Sequence, residues 1–319
     1  MAPAAPIAVI GADRPVQLPG FDDAIYVSEF RPDHDRLVDS GATVALAPPE
    51  GLAVAVVCLP RNRLHGQGRV SRAMAAVRPG GTLIVDGQKT DGIEALLRQF
   101  KNLLPPEGVI SKAHGKIAWF CRPDPIPPEI AGWAEEAAPA LNAEGFVTAP
   151  GMFHPEGIDE GTRTLIDHLP AATGRAADLG AGWGALSAAL LDGSPDLEHL
   201  DLVEADHAAL EAARLNVADP RARFHWADVT RWGGGPYDLI VSNPPFHVSR
   251  AADPALGQAF IAAAARLLAP KGRLMLVANR QLPYESEFDR HFGAWTQVHS
   301  DSRFKILSAT RPKGRRGAG

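Results

Sequence analysis

The sequence predicts an α/β protein built from two similar domains, each with a doubly wound, mainly parallel sheet. Three observations predict it. The second half alternates short apolar runs with helical stretches, several segments of the first half recur in the second, and a proline-rich stretch at 122–128 separates the halves. With 319 residues, 45% of them hydrophobic, the chain is long and apolar enough for two packed domains.

Three pairs of segments share residue patterns and keep the same order in both halves. One pattern is a helix end, a turn containing Pro and Gly, and a buried strand. A single match could arise by chance, whereas three in one order predict a duplicated domain. The pairs are 53–60 with 238–244, 75–85 with 266–276, and 116–123 with 305–312.

These patterns place a first domain at residues 1–125, a linker at 126–150 and a second domain at 151–319. Within the linker, the Ala- and Glu-rich stretch 129–143 predicts a helix. The motifs that suit chemistry fall in the second domain.

The tetrapeptide Asn243-Pro244-Pro245-Phe246 follows Tyr237–Ser242, an apolar run typical of a buried strand. The Asn243 side-chain oxygen and the Pro244 carbonyl can both accept hydrogen bonds from one NH2 group. The Phe246 ring can stack on a planar group. We therefore predict that Asn243, Pro244 and Phe246 grip a planar substrate with an exocyclic amine and are the catalytic residues.

A glycine loop lies between a predicted strand at 175–179 and a helical run at 185–191. Glycines let the backbone approach a ligand closely and turn sharply into a helix. We expect Gly180, Gly182 and Gly184 to bind a cofactor there, although a Gly-x-Gly-x-Gly loop alone is shared by many nucleotide-binding folds.

Asp178, Glu204 and Asp228 end three successive predicted strands, and Asn243 ends the fourth. Ligands of such sheets bind beyond the carboxyl ends of the strands, so all four are predicted cofactor contacts. Glu204 suits two ribose hydroxyls and Asp228 an adenine amino group. Asp178 would repel a pyrophosphate but suits a cationic amino group, which favours S-adenosylmethionine over NAD.

Each acid also has an ordinary structural interpretation. Asp178 could cap the following turn, Glu204 could cap a helix at 207–216, and Asp228 could be a turn residue.

Together these motifs resemble the class I S-adenosylmethionine-dependent methyltransferases. Residues 178–184 resemble their first motif and 243–246 their amino-methylating fourth motif. More narrowly, the whole chain resembles the bacterial ribosomal RNA guanine-N2 methyltransferases, first the small-subunit and then the large-subunit enzymes. Further segments carry that resemblance: 150–153, 157–162, 246–247 and 302–306.

The resemblance implies tandem Rossmann-like domains, with a degenerate N-terminal copy and a catalytic C-terminal copy that has seven strands. It implies S-adenosyl-L-methionine as cofactor, S-adenosyl-L-homocysteine as product, and a guanine of 16S ribosomal RNA as methyl acceptor. The same chemistry on 23S ribosomal RNA, DNA adenine, protein glutamine or a small molecule remains open, as does RNA binding without turnover.

The first domain lacks these motifs. It has Leu59-Pro60-Arg61-Asn62 where the second has the Asn-Pro-Pro-Phe tetrapeptide, and its early glycines, Gly11 and Gly20, form no strand–loop–helix signature. We interpret it as a non-catalytic copy that either binds RNA or is purely structural. The arginines that would bind RNA are Arg61, Arg63, Arg69 and Arg72.

The charge distribution also indicates an RNA partner. The net charge is -5, yet residues 61–122 carry eleven basic and four acidic residues, and the tail 303–319 carries six basic residues and no acid. Basic regions on an acidic body are candidate contacts for ribosomal RNA or the small ribosomal subunit. The alternative is a solvated face and a disordered tail.

Nothing in the sequence indicates a signal peptide or a membrane-spanning run. Cys58 and Cys121 lack metal-ligand spacing. We expect a cytoplasmic monomer with free thiols, without a metal site and without membrane contact.

Overall fold

The computed structural model describes residues 6–17, 19–245 and 254–313. The chain forms two compact units. One comprises Met1–Ala140 and Ala149–Gly151, and the other comprises Leu141–Thr148 and Met152–Gly319.

The first unit is a seven-stranded sheet with helices. Its strands are β1 Ile7–Ile10, β2 Ile25–Val27, β3 Thr43–Ala45, β4 Leu52–Cys58, β5 Val77–Gln88, β6 Gly108–Lys112 and β7 Gly115–Cys121. Its helices are α1 Arg31–Asp39, α2 Arg63–Ala76, α3 Ile93–Leu103 and α4 Pro128–Glu136. The strand order is β3-β2-β1-β4-β5-β7-β6, and β7 runs antiparallel to both of its neighbours.

The second unit contains another seven-stranded sheet, preceded in sequence by a hairpin of β8 Ala140–Leu141 and β9 Val147–Thr148. Its strands are β10 Gly174–Leu179, β11 Leu197–Glu204, β12 Ala222–Trp226, β13 Tyr237–Ser242, β14 Leu268–Asn279, β15 Phe292–Ser300 and β16 Phe304–Pro312. Its helices are α5 Glu160–Ile166, α6 Ala185–Asp192, α7 His207–Asn216, α8 Pro254–Leu267 and α9 Glu285–His291.

The second sheet has the order β12-β11-β10-β13-β14-β16-β15, with β16 antiparallel to β14 and β15. This order reproduces the first sheet when β1 is matched with β10, β4 with β13 and β7 with β16. The prediction of tandem Rossmann-like domains with mainly parallel seven-stranded sheets is therefore confirmed.

The central strands are apolar because both faces of a doubly wound sheet are covered. In β10, Ala176, Ala177 and Leu179 are fully buried. Asp178 lies in the same strand at 1% exposure. A charged group in such a place costs folding free energy unless it is paired, so its presence points to function rather than packing.

The helix expected at 129–143 is shorter in the structure. It ends at Glu136, because Ala138 precedes Pro139 and a residue before proline avoids the helical conformation. Ile130 and Trp133 of α4 are buried in the core of the first unit.

Within the described residues, no helix has the length and apolar character needed to cross a membrane. Cys58 and Cys121 are free thiols.

Candidate active site

The glycine loop follows β10 as predicted. Gly182 and Gly184 have φ of +56° and +93°, a region that disfavours other residues. A Cβ on Gly184 would press on the Val217 side chain at 2.8 Å, whereas a Cβ on Gly182 would meet nothing within 4 Å. The loop thus turns tightly into α6 and leaves open space beside Gly182.

Asp178 is the buried acid beside this loop. Its Oδ2 accepts a hydrogen bond of 2.7 Å from the Ser187 hydroxyl, and its Oδ1 has no partner among the described residues. Burial raises the pKa of Asp178 to about 7, and the charge of Glu204 adds to the rise while the bond from Ser187 opposes it. A buried carboxylate oxygen without a partner can pair with a cationic group of a ligand when the carboxyl is ionised.

Glu204 supports the loop from β11. Its two oxygens accept from the Gly182 N–H at 2.8 Å and the Asp206 N–H at 2.7 Å, and burial raises its pKa. Asp206, not Glu204, is the N-cap of α7, since it accepts from the N–H groups of residues 208 and 209. The helix-cap interpretation of Glu204 is therefore wrong.

Asp228 follows β12 and lies at the start of a turn. Its Oδ1 accepts from the Thr230 N–H at 2.8 Å and from the Thr230 hydroxyl at 2.7 Å. The turn-residue interpretation thus describes the contacts of this side chain, and its role at an adenine stays a prediction.

Asn243 follows β13, and its amide group is held by α5. Nδ2 donates to Asp159 Oδ2 at 3.2 Å and to Thr162 Oγ1 at 2.9 Å. Asp159 is the N-cap of α5 and accepts from the N–H groups of Gly161 and Thr162. Neither Asp159 nor Thr162 was among the predicted site residues. Their only sequence signal was the 157–162 segment of the family resemblance.

A cleft brings the donor loop and the acceptor motif together. It is lined by Asp178, Gly180, Gly182, Asn243, Asp159 and Thr162, with apolar walls that include Phe153, Trp183 and Leu186. Gly184, Glu204 and Asp228 lie outside this lining. Pro244 is buried after Asn243, and the predicted stacking residue Phe246 lies outside the described residues.

The predicted RNA contacts divide into two groups. Arg61, Arg63 and Arg72 are exposed. Arg69 instead turns inward, and its guanidinium donates to the Cys58 carbonyl at 3.1 Å. Lys305 is also internal, at 3% exposure, and donates to the Leu282 carbonyl and to Glu285.

Arg69 and Lys305 are therefore structural, because their charged groups already have partners inside the protein. Of the tail, residues 314–319 lie outside the described ranges.

A mainly parallel sheet of this order, a glycine loop after its first strand and Asn-Pro-Pro after its fourth define a class I methyltransferase domain. Both units have this sheet order, and only the second combines it with the glycine loop and Asn-Pro-Pro.

Comparisons with known proteins agree. The methyltransferase small domain family model matches residues 144–308. Ribosomal RNA small subunit methyltransferase C of Pseudomonas aeruginosa is 33% identical over 83% of this chain and 81% of its own length. Ribosomal RNA large subunit methyltransferase G of Streptomyces griseus is 30% identical over 88% of this chain and 75% of its own length.

A solved structure is similar over almost the whole chain. It is the T. thermophilus 16S rRNA N2 G1207 methyltransferase in complex with AdoMet and guanosine, with a TM-score of 0.81 and 25% identity. The alignment covers 98% of this chain and 89% of that one. The chain therefore belongs to the methyltransferase small domain family, in the group that contains these ribosomal RNA methyltransferases, and it is an S-adenosylmethionine-dependent methyltransferase.

The residues present fit that cofactor, which supplies a methyl group carried on a sulfonium. The unpaired Oδ1 of Asp178 suits the cationic amino group of its methionine part. The open space beside Gly182 lets a ligand approach the backbone, and Glu204 keeps that loop in place.

Proposed function

We propose that this protein methylates the exocyclic N2 amine of a guanine in small-subunit (16S) ribosomal RNA. The observation that carries the proposal is the cleft shared by Asp178, the glycine loop and Asn243, because a methyl donor held by the loop and an amine held by Asn243 would meet in it. The guanine and the small subunit are supported by the descriptions of the relatives, one of them bound to guanosine.

In this site the residues of the chain act mainly by positioning. The Asn243 side-chain oxygen and the Pro244 carbonyl accept from the guanine amine and direct its lone pair into the cleft. Holding reactants at near-attack distance supplies much of the rate of such reactions. Both oxygens also stabilise the positive charge that develops on nitrogen as the N–C bond forms and the C–S bond breaks. The proton leaves to solvent afterwards, so no strong general base is required.

The exposed arginines of the first unit, Arg61, Arg63 and Arg72, are proposed to contact RNA phosphates. We further propose that the protein acts as a monomer in the cytoplasm, where ribosomal RNA is modified.

Transfer of tritium from labelled S-adenosylmethionine tests the acceptor class. Four acceptors are offered separately: ribosomal subunits, naked ribosomal RNA, DNA and a protein extract. The subunits and the ribosomal RNA come from a strain that lacks the protein. Label in small-subunit RNA, recovered as N2-methylguanine, is expected. Label only in DNA or protein would refute the proposal.

Large-subunit RNA is the second candidate acceptor, favoured by the large-subunit methyltransferase that matches 88% of this chain. Label confined to that RNA would move the substrate to the large subunit while keeping the chemistry.

A further inference from the structure

The orientation of the Asn243 amide is set by two residues outside the Asn-Pro-Pro motif. Its Nδ2 lies 3.2 and 3.4 Å from the two Asp159 oxygens and 2.9 Å from Thr162 Oγ1. A carboxylate offers only lone pairs, so the atom that faces Asp159 must be the amide nitrogen. With both hydrogens donated, Oδ1 is the atom left to accept from a ligand.

The two acceptors are themselves fixed. Asp159 accepts from the Gly161 and Thr162 N–H groups at 3.0 and 3.3 Å, which locks its carboxylate at the start of α5. Thr162 is buried at 7% exposure, in the first turn of the same helix. The acceptors are therefore preset before any substrate arrives.

We propose that Asp159 and Thr162 are positioning residues that hold Asn243 with its oxygen toward the substrate and so make the site accept an NH2 group. This rests on the proposed function. A reversed amide would turn its own NH2 toward the substrate amine, donor against donor, and the amine would lose one of the two acceptors that direct it. The same arrangement disfavours a carbonyl or any other pure acceptor at this place.

Asp159→Asn is the sharpest variant. It keeps Oδ1 for the helix cap, since Asn caps as well as Asp. It places an NH2 where Oδ2 accepts from Asn243, so the stable arrangement reverses the Asn243 amide. We expect kcat to fall by about 100-fold, the effect of losing one preorganised polar contact in a transition state. The affinity for S-adenosylmethionine, measured by calorimetry, and the unfolding midpoint should stay close to those of the wild type.

Three further variants separate positioning from structure. Thr162→Ser keeps the hydroxyl and should retain turnover, whereas Thr162→Val should lower kcat. Glu160→Gln is the matched control, because it makes the same carboxylate-to-amide change one residue along, in a side chain that pairs with Arg303 instead of Asn243. Its kcat should equal that of the wild type.

The assay follows labelled methyl transfer to whichever acceptor the wild type uses, so a different acceptor would refute the proposed function without touching this test. The proposal is overturned if Asp159→Asn keeps kcat within about twofold of the wild type. It is equally overturned if donor affinity or the unfolding midpoint falls with kcat in Asp159→Asn while Thr162→Val leaves kcat unchanged.

Discussion

The two halves of the chain share one strand order but differ at the strand ends where the second half has its site. Gly11 follows β1 as Gly180 follows β10. Two positions before each glycine, Val9 of the first half is equivalent to Asp178 of the second. Val9 is fully buried, so an apolar side chain stands where the second half keeps a carboxylate with an unpaired oxygen.

The side chain beside the glycine also differs. In the first half the Arg69 guanidinium lies where a Cβ on Gly11 would stand, and it donates to the Cys58 carbonyl. The described residues after Gly11, 12–17 and 19–24, include no helix, whereas the second half turns into α6. In the second half a side chain also lies beside the matched glycine, since a Cβ on Gly180 would meet the Phe260 ring at 3.1 Å. The first half thus has a charged side chain at its glycine and lacks the helix that follows the loop of the second half.

The asparagines that follow β4 and β13 are used differently as well. Asn62 accepts from the His65 N–H at 3.0 Å and caps α2. Asn243 instead donates through its side-chain nitrogen to Asp159 and Thr162, and its side-chain oxygen takes no part in these bonds. The sheet thus sets where a site can form, while a few side chains at its edge decide whether it does.

Removing the acceptor group should have the largest effect. Asn243→Ala deletes the oxygen that orients the amine, and we expect methyl transfer to fall roughly 100- to 1,000-fold. Donor binding, measured by calorimetry, should be largely kept because Asp178 and the loop are intact. Near wild-type turnover of this variant would break the contrast between the halves.

Asp178→Val makes the second half resemble the first at this position. Loss of one partner of a buried charge pair costs about 3–5 kcal/mol, so donor affinity should fall by roughly 100-fold or more. The unfolding midpoint of the free protein should not fall, because the change removes a buried carboxylate with an unpaired oxygen. Unchanged donor affinity in calorimetry would contradict the assigned donor site.

Donor binding should depend on pH through Asp178. Burial raises its pKa to about 7 from 3.8, so the carboxyl is protonated below that pKa and must ionise to pair with a cation. Donor affinity should therefore fall by about tenfold per pH unit as the pH drops below 7. Asp178 affects the free energy of unfolding in the opposite direction to a salt-bridged acid. Its contribution to folding stability is lost as the pH rises from 3.8 to about 7.

Calorimetry in buffers of different ionisation enthalpy should show a proton released on binding below this pKa. Asp178→Asn should give a flat affinity profile, and a wild-type profile equally flat would refute the role of the carboxylate.

Arg69→Ala tests whether removing the guanidinium beside Gly11 creates a donor site in the first half. We expect that it does not, because Val9 supplies no charge, and calorimetry should still find one donor per chain. The Cys58 carbonyl loses its partner, which should cost about 1–3 kcal/mol of unfolding free energy in denaturant titration. A second bound donor would show that the Arg69 guanidinium alone prevents donor binding in the first half.

The smallest effect is expected at the exposed arginines. Arg63→Ala should raise KM for RNA severalfold, leave kcat unchanged, and reduce the slope of log affinity against log salt by about 1. If the salt dependence of affinity equals that of the wild type, Arg63 does not contact RNA phosphates.

Local sequence patterns were enough for much of the fold. The strand predicted at 237–242 and the helix predicted at 207–216 have the bounds of β13 and α7, although the residue that caps α7 is Asp206 and not Glu204. The two sheets followed from three repeated segments, and Asp178, Gly182 and Asn243 from their places at strand ends.

Other features depend on contacts that no local pattern reveals. Asp159 contacts Asn243 across 84 residues of sequence, and no local pattern could show that contact. The count of basic residues could not show that Arg69 and Lys305 turn inward, because exposure depends on packing partners. The turn made by Asp228 depends on Thr230, and the residue pattern fitted both a ligand contact and a turn.

We propose that Asn243 of the second half directs methylation of a guanine in small-subunit RNA. Mass-spectrometric mapping of ribosomal RNA from a strain lacking the protein, complemented with wild type or Asn243→Ala, tests it most directly. We predict one N2-methylguanine in 16S RNA that is lost in the deletion, restored by the wild type and not restored by the variant. An unchanged methylation map in the deletion strain, or restoration by Asn243→Ala, would contradict it.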